Sequence, residues 1–330
     1  MMRYHPHFGY TYTPQLKSRV AHEGGGYLVQ TNAQGFRDDK EFIPTKTPGT
    51  FRILVFGDSY TAGDGVSNKH RYTDLLAQQL PGVEVYNFGL SGTGTDQQFL
   101  VFQEMVQCQQ MDYDLVIVMV MVENILRVNA KFRQYQDEQG HATIMAKPYF
   151  TLDAQGHLVR HHDPVPPDPI DPTTLTAGDK AYTNFSGLLP RLSRALSFLG
   201  PQLKNQLRKW VGYQPLPQYN SPKDPAWIML KALLNTWISE VKKPMIILPF
   251  PVHQYVEEHA TSRHYRARFQ ELNLSDRVTL CDPMPELMAL PMAVRRSFRF
   301  EVDPHPTKAC HAWVAKALAA VVKKVQNRYS

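Results

Sequence analysis

The chain has 330 residues, of which 43% are hydrophobic, and this is enough apolar material for one large α/β core with insertions or for two modest domains. The composition excludes an extensively disordered chain and a fibrous repeat. The net charge is +6. Part of the basic excess falls in a C-terminal cluster that is typical of a solvated helix face: Lys316, Lys323, Lys324 and Arg328. We therefore expect no nucleic-acid partner.

The first fifty residues are rich in Gly, Pro, Thr and aromatic residues, which predicts short extended segments joined by turns. We expect residues 1–50 to form an N-terminal arm packed on the core of the protein. Residues 1–15 lack the basic and then apolar pattern of a signal peptide, and the chain contains no run of about 18 apolar residues. These patterns predict a cytoplasmic protein without a membrane span.

Residues 51–59, with the sequence FRILVFGDS, predict the first strand of a parallel sheet that is buried on both faces. Similar runs follow at 83–91, 113–124, 243–251 and, more weakly, 277–283. Helical patterns occur at 70–80, 95–110, 224–241, 262–273 and 307–326. This alternation predicts a doubly wound, three-layer α/β/α fold with a central parallel sheet of about five strands.

Residues from about 126 to 222 interrupt the alternation and predict an insertion within a domain formed by residues 51–330. The insertion contains a proline-rich segment, DPVPPDPIDP, and a helix predicted at 186–209. Insertions at the carboxyl ends of strands often build the binding sites of such sheets, so the region is either a lid over the substrate or a small core of its own. Its aromatic residues fit both interpretations: Phe132, Tyr135, Tyr149, Trp210 and Tyr213.

The first predicted strand ends in the sequence GDSYTAGDGV, which begins at Gly57 and contains Ser59. Open α/β sheets bind their ligands at the carboxyl ends of their strands. A small residue ahead of a serine permits a tight turn that exposes the hydroxyl, and N–H groups at a following helix N-terminus favour developing negative charge. Ser59 is therefore a candidate nucleophile, and the alternative is an ordinary turn with a helix cap.

A nucleophilic serine needs a base and a group that orients the base. His305 lies in the segment FEVDPHPTKACHAW, after the last strand and before an amphipathic helix, and Asp303 precedes it by two residues. In such a segment the Asp303 carboxylate can accept from one ring nitrogen of His305 while the other nitrogen faces the serine. The alternative is a capping Asp beside a surface His.

Four segments occur in the order that is typical of the SGNH (GDSL-like) serine hydrolase superfamily. They are GDSYTAGDGV, NFGLSGTGT, the Asn after the third strand, and DPHP before the C-terminal helix. They span residues 51–327 and leave the arm and the insertion outside, so the main domain resembles this superfamily. The resemblance implies a flavodoxin-like α/β/α fold and esterase activity.

The resemblance also implies roles for individual residues. Ser59 would be the nucleophile and would contribute its backbone N–H to an oxyanion hole, with Asp303 and His305 as its partners. Gly92 would supply a second backbone N–H, with Gly89 as the alternative glycine. The Asn124 side chain would be the third donor.

Two segments depart from the family pattern. Asn124 is flanked by Val122, Glu123 and Ile125, where the family has Gly-x-Asn-Asp. Asp303 and His305 are separated by two positions, whereas three is usual in the family. This spacing leaves open whether Asp303, Glu301 or a backbone carbonyl orients the histidine.

Other polar residues suggest weaker candidates. His253 follows the fourth strand and could contact substrate, as could Gly89, although a loop histidine without function is the alternative for His253. His161 and His162 are adjacent and do not complete a metal site, and neither a P-loop lysine nor a Rossmann glycine pattern occurs, so no metal or other cofactor is expected. The cysteines lack the paired spacing of a zinc site or disulfide framework and are expected to be reduced: Cys108, Cys281 and Cys310.

These features together predict a serine esterase that cleaves an acyl ester through a Ser59 acyl-enzyme. The substrate would be a small-molecule or carbohydrate ester, and the aromatic insertion favours an O-acetylated carbohydrate. Two alternatives use the same scaffold: an O-acyltransferase, in which a sugar hydroxyl replaces water, and a binding protein without catalysis.

Overall fold

The computed structural model describes residues 1–136, 142–183 and 212–329. Its strands, in chain order, are β1 (Met2–His5), β2 (Gly9–Tyr12), β3 (Lys17–Val20), β4 (Tyr27–Gln30), β5 (Phe51–Phe56), β6 (Val83–Asn87), β7 (Leu115–Met121), β8 (Phe132–Gln136), β9 (Ala142–Ala146), β10 (Tyr149–Leu152), β11 (Leu158–His161), β12 (Met245–Phe250) and β13 (Val278–Leu280). Its α-helices are α1 (Ser59–Ala62), α2 (Tyr72–Gln79), α3 (Thr95–Phe102), α4 (Ala177–Thr183), α5 (Pro225–Glu240), α6 (His253–Val256), α7 (Arg263–Phe269), α8 (Met284–Met288), α9 (Met292–Arg296) and α10 (Lys308–Tyr329). The helix predicted at 186–209 and Trp210 lie outside the described residues.

Five of these strands form a parallel sheet in the order β13-β12-β7-β5-β6. β5 lies inside the sheet, where Val55 is opposite Asn87 of β6 and Phe56 is opposite Val118 of β7. Every side chain of β7 and β12 is buried, as expected for strands covered on both faces. The predicted parallel sheet of five strands is confirmed.

Helices flank the sheet and complete the three-layer α/β/α fold. α2 packs against α10, where the rings of Tyr72 and His311 stack with centroids 6.0 Å apart. α3 packs against α5, whose Trp237 is fully buried among aromatic rings of β5 and α3. These side chains join the helices and the sheet in one hydrophobic core.

Two element boundaries differ from the sequence prediction. The run at 113–124 contains the strand Leu115–Met121, after which the chain turns into a 3-10 helix at Val122–Leu126. The helix predicted at 95–110 is α-helical over Thr95–Phe102 and continues as a π-helical turn over Gln103–Cys108. Val122, Asn124 and Ile125 are buried like the strand before them, so hydrophobicity does not mark the end of β7. Burial falls after α3, where Gln107 and Cys108 are exposed.

The first fifty residues include two antiparallel hairpins, β1–β2 and β3–β4. Phe8, Phe36 and Phe42 are buried in the same hydrophobic core as the sheet. The ring of Phe36 meets that of Phe88 edge to face, with centroids 5.0 Å apart. The arm is therefore packed on the core, while its predicted limit at residue 50 stays a prediction.

The described part of the insertion contains two further hairpins, β8–β9 and β10–β11. Phe150 of β10 is buried in the main core, with its ring centroid 6.3 Å from that of Phe99 in α3. The Lys147 ammonium forms a buried ion pair with Asp96 of α3. Because separation of a buried pair would leave an uncompensated charge, this pair holds the hairpins against α3.

Candidate active site

Ser59 lies at the carboxyl end of β5, in a tight turn where α1 begins. Asp58 is the N-cap of α1, and its carboxylate accepts a backbone N–H of the first turn at 3.0 Å. A Cβ at Gly57 would overlap the Thr61 side chain, so the close approach in this turn requires glycine. The turn holds Ser59 at the carboxyl ends of the sheet strands, where the residue is 6% exposed.

His305 lies in the loop between α9 and α10, and its side chain contacts Ser59 although the two residues are 246 positions apart in the sequence. Its Nε2 is 2.9 Å from Ser59 Oγ, and its Nδ1 is 2.5 Å from Asp303 Oδ1. The partner of Nδ1 is therefore Asp303, and not Glu301. Hydroxyl, imidazole and carboxylate form one continuous series of hydrogen bonds, an arrangement that can remove a proton from the hydroxyl.

Two hydrogen bonds fix the loop that carries His305. The Phe300 N–H donates to the His305 carbonyl at 3.1 Å, which closes the loop around Asp303. The Tyr60 hydroxyl donates to the Pro304 carbonyl at 3.0 Å. Because Tyr60 follows Ser59 and Pro304 precedes His305, the second bond ties the loop of His305 to the turn of Ser59.

The electrostatics of the site favour an ionised carboxylate and a basic imidazole. The hydrogen bond with His305 lowers the pKa of Asp303, although partial burial opposes this change. Burial lowers the pKa of His305, but the hydrogen bond with Asp303 and the negative charges of Asp64 and Asp58 outweigh it and raise the pKa above its ordinary value. His305 is consequently a stronger base toward the serine hydroxyl than an isolated imidazole.

Asn124 lies after β7, in the turn Val122–Leu126, and is completely buried. Neither its Oδ1 nor its Nδ2 has a hydrogen-bond partner among the described residues. A buried polar group without a partner costs about 1–3 kcal/mol, and departures of this kind concentrate at functional sites. Because β7 and β5 are neighbours in the parallel sheet, Asn124 reaches the same sheet edge as Ser59.

Gly92 lies in the loop after β6, the neighbour of β5 on its other side. Its φ of +81° is in the left-handed region that favours glycine. The Gly92 carbonyl accepts a hydrogen bond from Arg133 of the insertion, and the Ser91 carbonyl accepts one from the Tyr10 hydroxyl of the arm at 2.7 Å. These bonds fix the orientation of the peptide groups beside Gly92, whose N–H can serve as a positioned donor.

Gly89 has different surroundings from Gly92. A Cβ at Gly89 would lie 2.7 Å from the carbonyl carbon of Thr61, so the absent side chain lets this loop pack closely against α1. The Gly89 N–H donates to Asn87 Oδ1 at 2.8 Å. Since that N–H is already used within the fold, the geometry favours Gly92 as the glycine donor.

His253 begins α6 and is partly buried. With Tyr60 and Phe250 it lines a small, mostly apolar cavity of about 30 Å³. Tyr60 lies between this cavity and His305. Its ring centroid is 5.7 Å from that of Phe250, which lines the cavity, and 5.4 Å from that of His305. Contact between His253 and substrate stays a prediction.

Arg127 joins three parts of the site, although the sequence did not single it out. Its Nη1 lies 3.2 Å from Asp58 Oδ2 and donates to the Thr93 carbonyl at 3.0 Å. Asp58 precedes the candidate nucleophile, Thr93 follows the candidate glycine donor, and Arg127 itself follows Asn124 by three positions. That spacing, which puts both residues near one short helical turn, is the only signal in the sequence.

Two residues of the arm also contact the loop of His305. His22 Nε2 lies 3.3 Å from Asp303 Oδ2, and the Glu23 carboxylate accepts the Asp303 backbone N–H at 2.6 Å. No local pattern could have predicted these contacts, because they join residues about 280 positions apart.

The sequence predicts no metal site, no disulfide and no membrane span. Within residues 1–136, 142–183 and 212–329, no group of three or more His, Cys, Asp or Glu side chains is arranged to hold a metal ion. The three cysteines are free thiols. No helix in these ranges combines the length and the apolar character needed to cross a membrane.

Known proteins resemble this chain in sequence pattern and in fold. A family model, described as GDSL-like Lipase/Acylhydrolase family, matches residues 55–313. A lipase/acylhydrolase from Enterococcus faecalis is 12% identical over 83% of this chain and 96% of that chain, with a TM-score of 0.45. A lipolytic protein of the G-D-S-L family from Veillonella parvula DSM 2008 is 11% identical over 83% and 99%, with a TM-score of 0.40. An acetyl xylan esterase is 12% identical over 82% and 100%, with a TM-score of 0.42. No curated protein sequence matches the chain.

Proposed function

Because the chain belongs to the GDSL-like lipase/acylhydrolase family and is an ester-cleaving enzyme, we propose that it forms a covalent acyl intermediate on Ser59. His305 acts as the general base, and Asp303 orients it. The Ser59 N–H, the Gly92 N–H and the Asn124 side-chain amide form the oxyanion hole. One observation carries this proposal: the series of hydrogen bonds from Ser59 Oγ through His305 to Asp303, at 2.9 and 2.5 Å.

The reaction proceeds in two acyl-transfer steps. Ser59 Oγ attacks the ester carbonyl carbon while His305 Nε2 takes the hydroxyl proton, and the carbonyl oxygen becomes an oxyanion held by the three N–H donors. The intermediate then breaks its bond to the alcohol oxygen, which receives the proton from His305. Water, deprotonated by His305, then attacks the acyl carbon. The bond between that carbon and Ser59 Oγ breaks, Oγ takes the proton from His305, and the acid is released.

The unpartnered amide of Asn124 supports the oxyanion role. In the ground state the fold provides no acceptor for its Nδ2–H among the described residues, so the amide gains its hydrogen bond when the oxyanion forms. An interaction that is made only as the reaction proceeds raises the turnover rate, whereas one made equally with the substrate does not.

For the substrate we propose an O-acetylated carbohydrate. Tyr10 of the arm and Tyr135 of the insertion line a cavity of about 180 Å³, and their rings meet edge to face with centroids 5.8 Å apart. The Tyr10 hydroxyl donates to the Ser91 carbonyl, so one side chain of the cavity wall contacts the loop of Gly92. Aromatic side chains offer a planar apolar face with a polar tip, which suits a sugar ring with its hydroxyl groups.

Turnover of a small aryl acetate by a Ser59→Ala variant tests the nucleophile. We expect a loss of at least about 1,000-fold in kcat, since the alcohol that forms the acyl-enzyme is absent. Ser239→Ala is a matched control, because Ser239 is an exposed serine near the end of α5 whose hydroxyl donates to the Thr236 carbonyl of the same helix at 2.7 Å. Full activity of Ser59→Ala would contradict the proposal.

Product analysis separates hydrolysis from acyl transfer. With an alcohol acceptor added, hydrolysis yields free acid as the main product, whereas an acyltransferase yields a new ester of the acceptor. Both reactions share the Ser59 step, so this experiment tests the second step alone.

A further inference from the structure

We propose that the turn between β3 and β4 is part of the active site, where His22 is a positioning residue that fixes the Asp303 carboxylate and Glu23 fixes the backbone of its loop. The inference rests on the proposed function, because it assigns a second layer of residues to the same Ser59–His305–Asp303 series. It assigns to the N-terminal arm a contribution to catalysis in addition to packing.

His22 and His305 bind opposite oxygens of one carboxylate. His305 Nδ1 lies 2.5 Å from Asp303 Oδ1, and His22 Nε2 lies 3.3 Å from Asp303 Oδ2. The Gly24 N–H donates to His22 Nδ1 at 3.2 Å, so Nδ1 is an acceptor and the neutral ring carries its proton on Nε2. His22 is therefore a donor toward Asp303, and it leaves Oδ1 for the histidine that reacts.

The Glu23 carboxylate holds the backbone on which Asp303 is carried. It accepts N–H groups of three consecutive residues, from Glu301 at 3.0 Å, Val302 at 3.0 Å and Asp303 at 2.6 Å. The hydrogen bonds from these N–H groups, that of Asp303 above all, lower the pKa of Glu23, so the carboxylate is ionised at neutral pH. One side chain of the arm thus fixes the segment that precedes His305.

Phe300 shows that the hairpin turn and the loop of His305 pack closely. The Phe300 ring meets the His22 ring edge to face, with centroids 4.4 Å apart. A Cβ at Gly24 would lie 2.6 Å from the Phe300 ring, and one at Gly65, in the segment that follows α1, would lie equally close. Two glycines, one in the arm and one near the serine, therefore make room for the aromatic side chain that separates them.

Asp303 has need of this support, because its side chain is 38% exposed whereas that of His22 is 10% exposed. A carboxylate with that exposure can rotate toward water unless both oxygens are held. Rotation would release His305 Nδ1 and allow the ring to turn away from Ser59. Small misplacements of a reacting group have large effects on turnover, and they act on kcat more than on KM.

A pair of His22 variants tests the donor role. His22→Phe keeps an aromatic ring against Phe300 but has no N–H, while His22→Gln places an amide N–H near the position of Nε2. With an aryl acetate we expect His22→Phe to lower kcat about tenfold with KM within about twofold, and His22→Gln to recover most of the loss. Glu23→Ala, at an exposed position, is expected to lower kcat by a similar factor.

Several results would overturn the inference. Wild-type kcat in His22→Phe would show that the donor has no role. Equal losses in His22→Phe and His22→Gln would show that an N–H at this position does not restore turnover, which would also overturn the donor role. If His22→Phe does not fold, as judged by its circular dichroism and thermal melt, wild-type kcat in Glu23→Ala overturns the inference instead. Failure of the proposed function is a separate result, since Ser59→Ala would then retain the activity of the wild-type chain.

Discussion

The Arg127 guanidinium lies 3.2 Å from the Asp58 carboxylate, at the residue that directly precedes Ser59. Asp58 is completely buried, and the Arg127 side chain is 14% exposed. A buried carboxylate is tolerated when a cation and hydrogen bonds compensate its lost hydration. The pair therefore holds the turn of Ser59, and through the Thr93 carbonyl it also holds the loop of Gly92.

Replacement of Arg127 by methionine should destabilise the fold by about 3 kcal/mol, because it leaves the Asp58 charge buried and uncompensated. Asp58→Asn removes that charge and keeps an amide oxygen that can cap α1. We therefore expect the double variant Arg127→Met with Asp58→Asn to be more stable than Arg127→Met alone. Urea unfolding of the three variants measures the coupling, and simple additivity of the two effects would show that the pair does not interact.

The fold was predictable from the sequence because its strands are buried on both faces. β7 and β12 consist of apolar residues without alternation. Such runs indicate a parallel sheet independently of the sequences of the loops. The resemblance to the SGNH (GDSL-like) superfamily is confirmed by the match over residues 55–313. Ser59 and His305 could be selected as candidate site residues because one follows a strand and the other precedes a helix, and such positions meet at the carboxyl ends of the strands.

The supporting residues of the site could not be predicted in the same way. His22 and Asp303 are 281 positions apart, and their contact depends on how a glycine-rich hairpin packs beside Phe300. A single polar residue in a turn has no periodicity that marks it as buried. Arg127 likewise has no pattern of its own, since its role arises only when the loops after β5, β6 and β7 meet.

Asn124→Ala should separate activity from stability. Loss of one oxyanion donor is expected to lower kcat on the order of 100-fold. The Asn124 side chain makes no hydrogen bond with the described residues, so its removal breaks none among them and eliminates a costly buried amide. We expect the free energy of unfolding to change by less than about 1 kcal/mol. An unchanged kcat, measured with an aryl acetate, would remove Asn124 from the oxyanion hole.

The pH dependence of turnover should report His305. Because the pKa of His305 is raised and the neutral ring is the base, kcat/KM should fall on the acid side with a midpoint above the ordinary histidine value of about 6.5. Asp303→Asn removes the hydrogen-bonded charge that raises this pKa, so the midpoint should move to lower pH. The same variant should lower kcat on the order of 1,000-fold or more.

Glu301→Gln is the matched control for Asp303→Asn, because Glu301 was the alternative partner in the sequence. Its side chain is exposed, and His305 Nδ1 is bound to Asp303. The acid midpoint and kcat of Glu301→Gln should therefore equal those of the wild-type chain. A shift in Glu301→Gln without one in Asp303→Asn would reverse the assignment.

His311 should make the stability of the fold depend on pH. The residue is 1% exposed, its Nδ1 accepts the Tyr72 N–H at 3.2 Å, and burial lowers its pKa to about 3. In the unfolded chain the imidazole titrates near 6.5, so protonation favours the unfolded state. Stability should fall as the pH drops from about 6.5 toward 3, by up to about 1.4 kcal/mol per pH unit from this residue.

Urea unfolding at several pH values checks the role of His311. His311→Asn offers an amide oxygen to the same N–H but does not titrate, so its stability should change less steeply between pH 6.5 and 4. His5, whose pKa burial lowers to about 4, contributes in the same direction, and a His5→Asn variant measures its share. Equal slopes in the wild-type chain and in His311→Asn would show that His311 is not the group responsible.

The central claim is that Ser59 is a nucleophile activated by His305, and covalent labelling tests it most directly. A fluorophosphonate reacts with an activated serine by forming a phosphorus–oxygen bond and releasing fluoride. We predict one adduct on the folded wild-type chain, located by mass spectrometry on the peptide that contains Ser59, with much slower labelling in His305→Ala and none in Ser59→Ala. An unlabelled folded protein, or an adduct on another residue that persists in Ser59→Ala, would contradict the account.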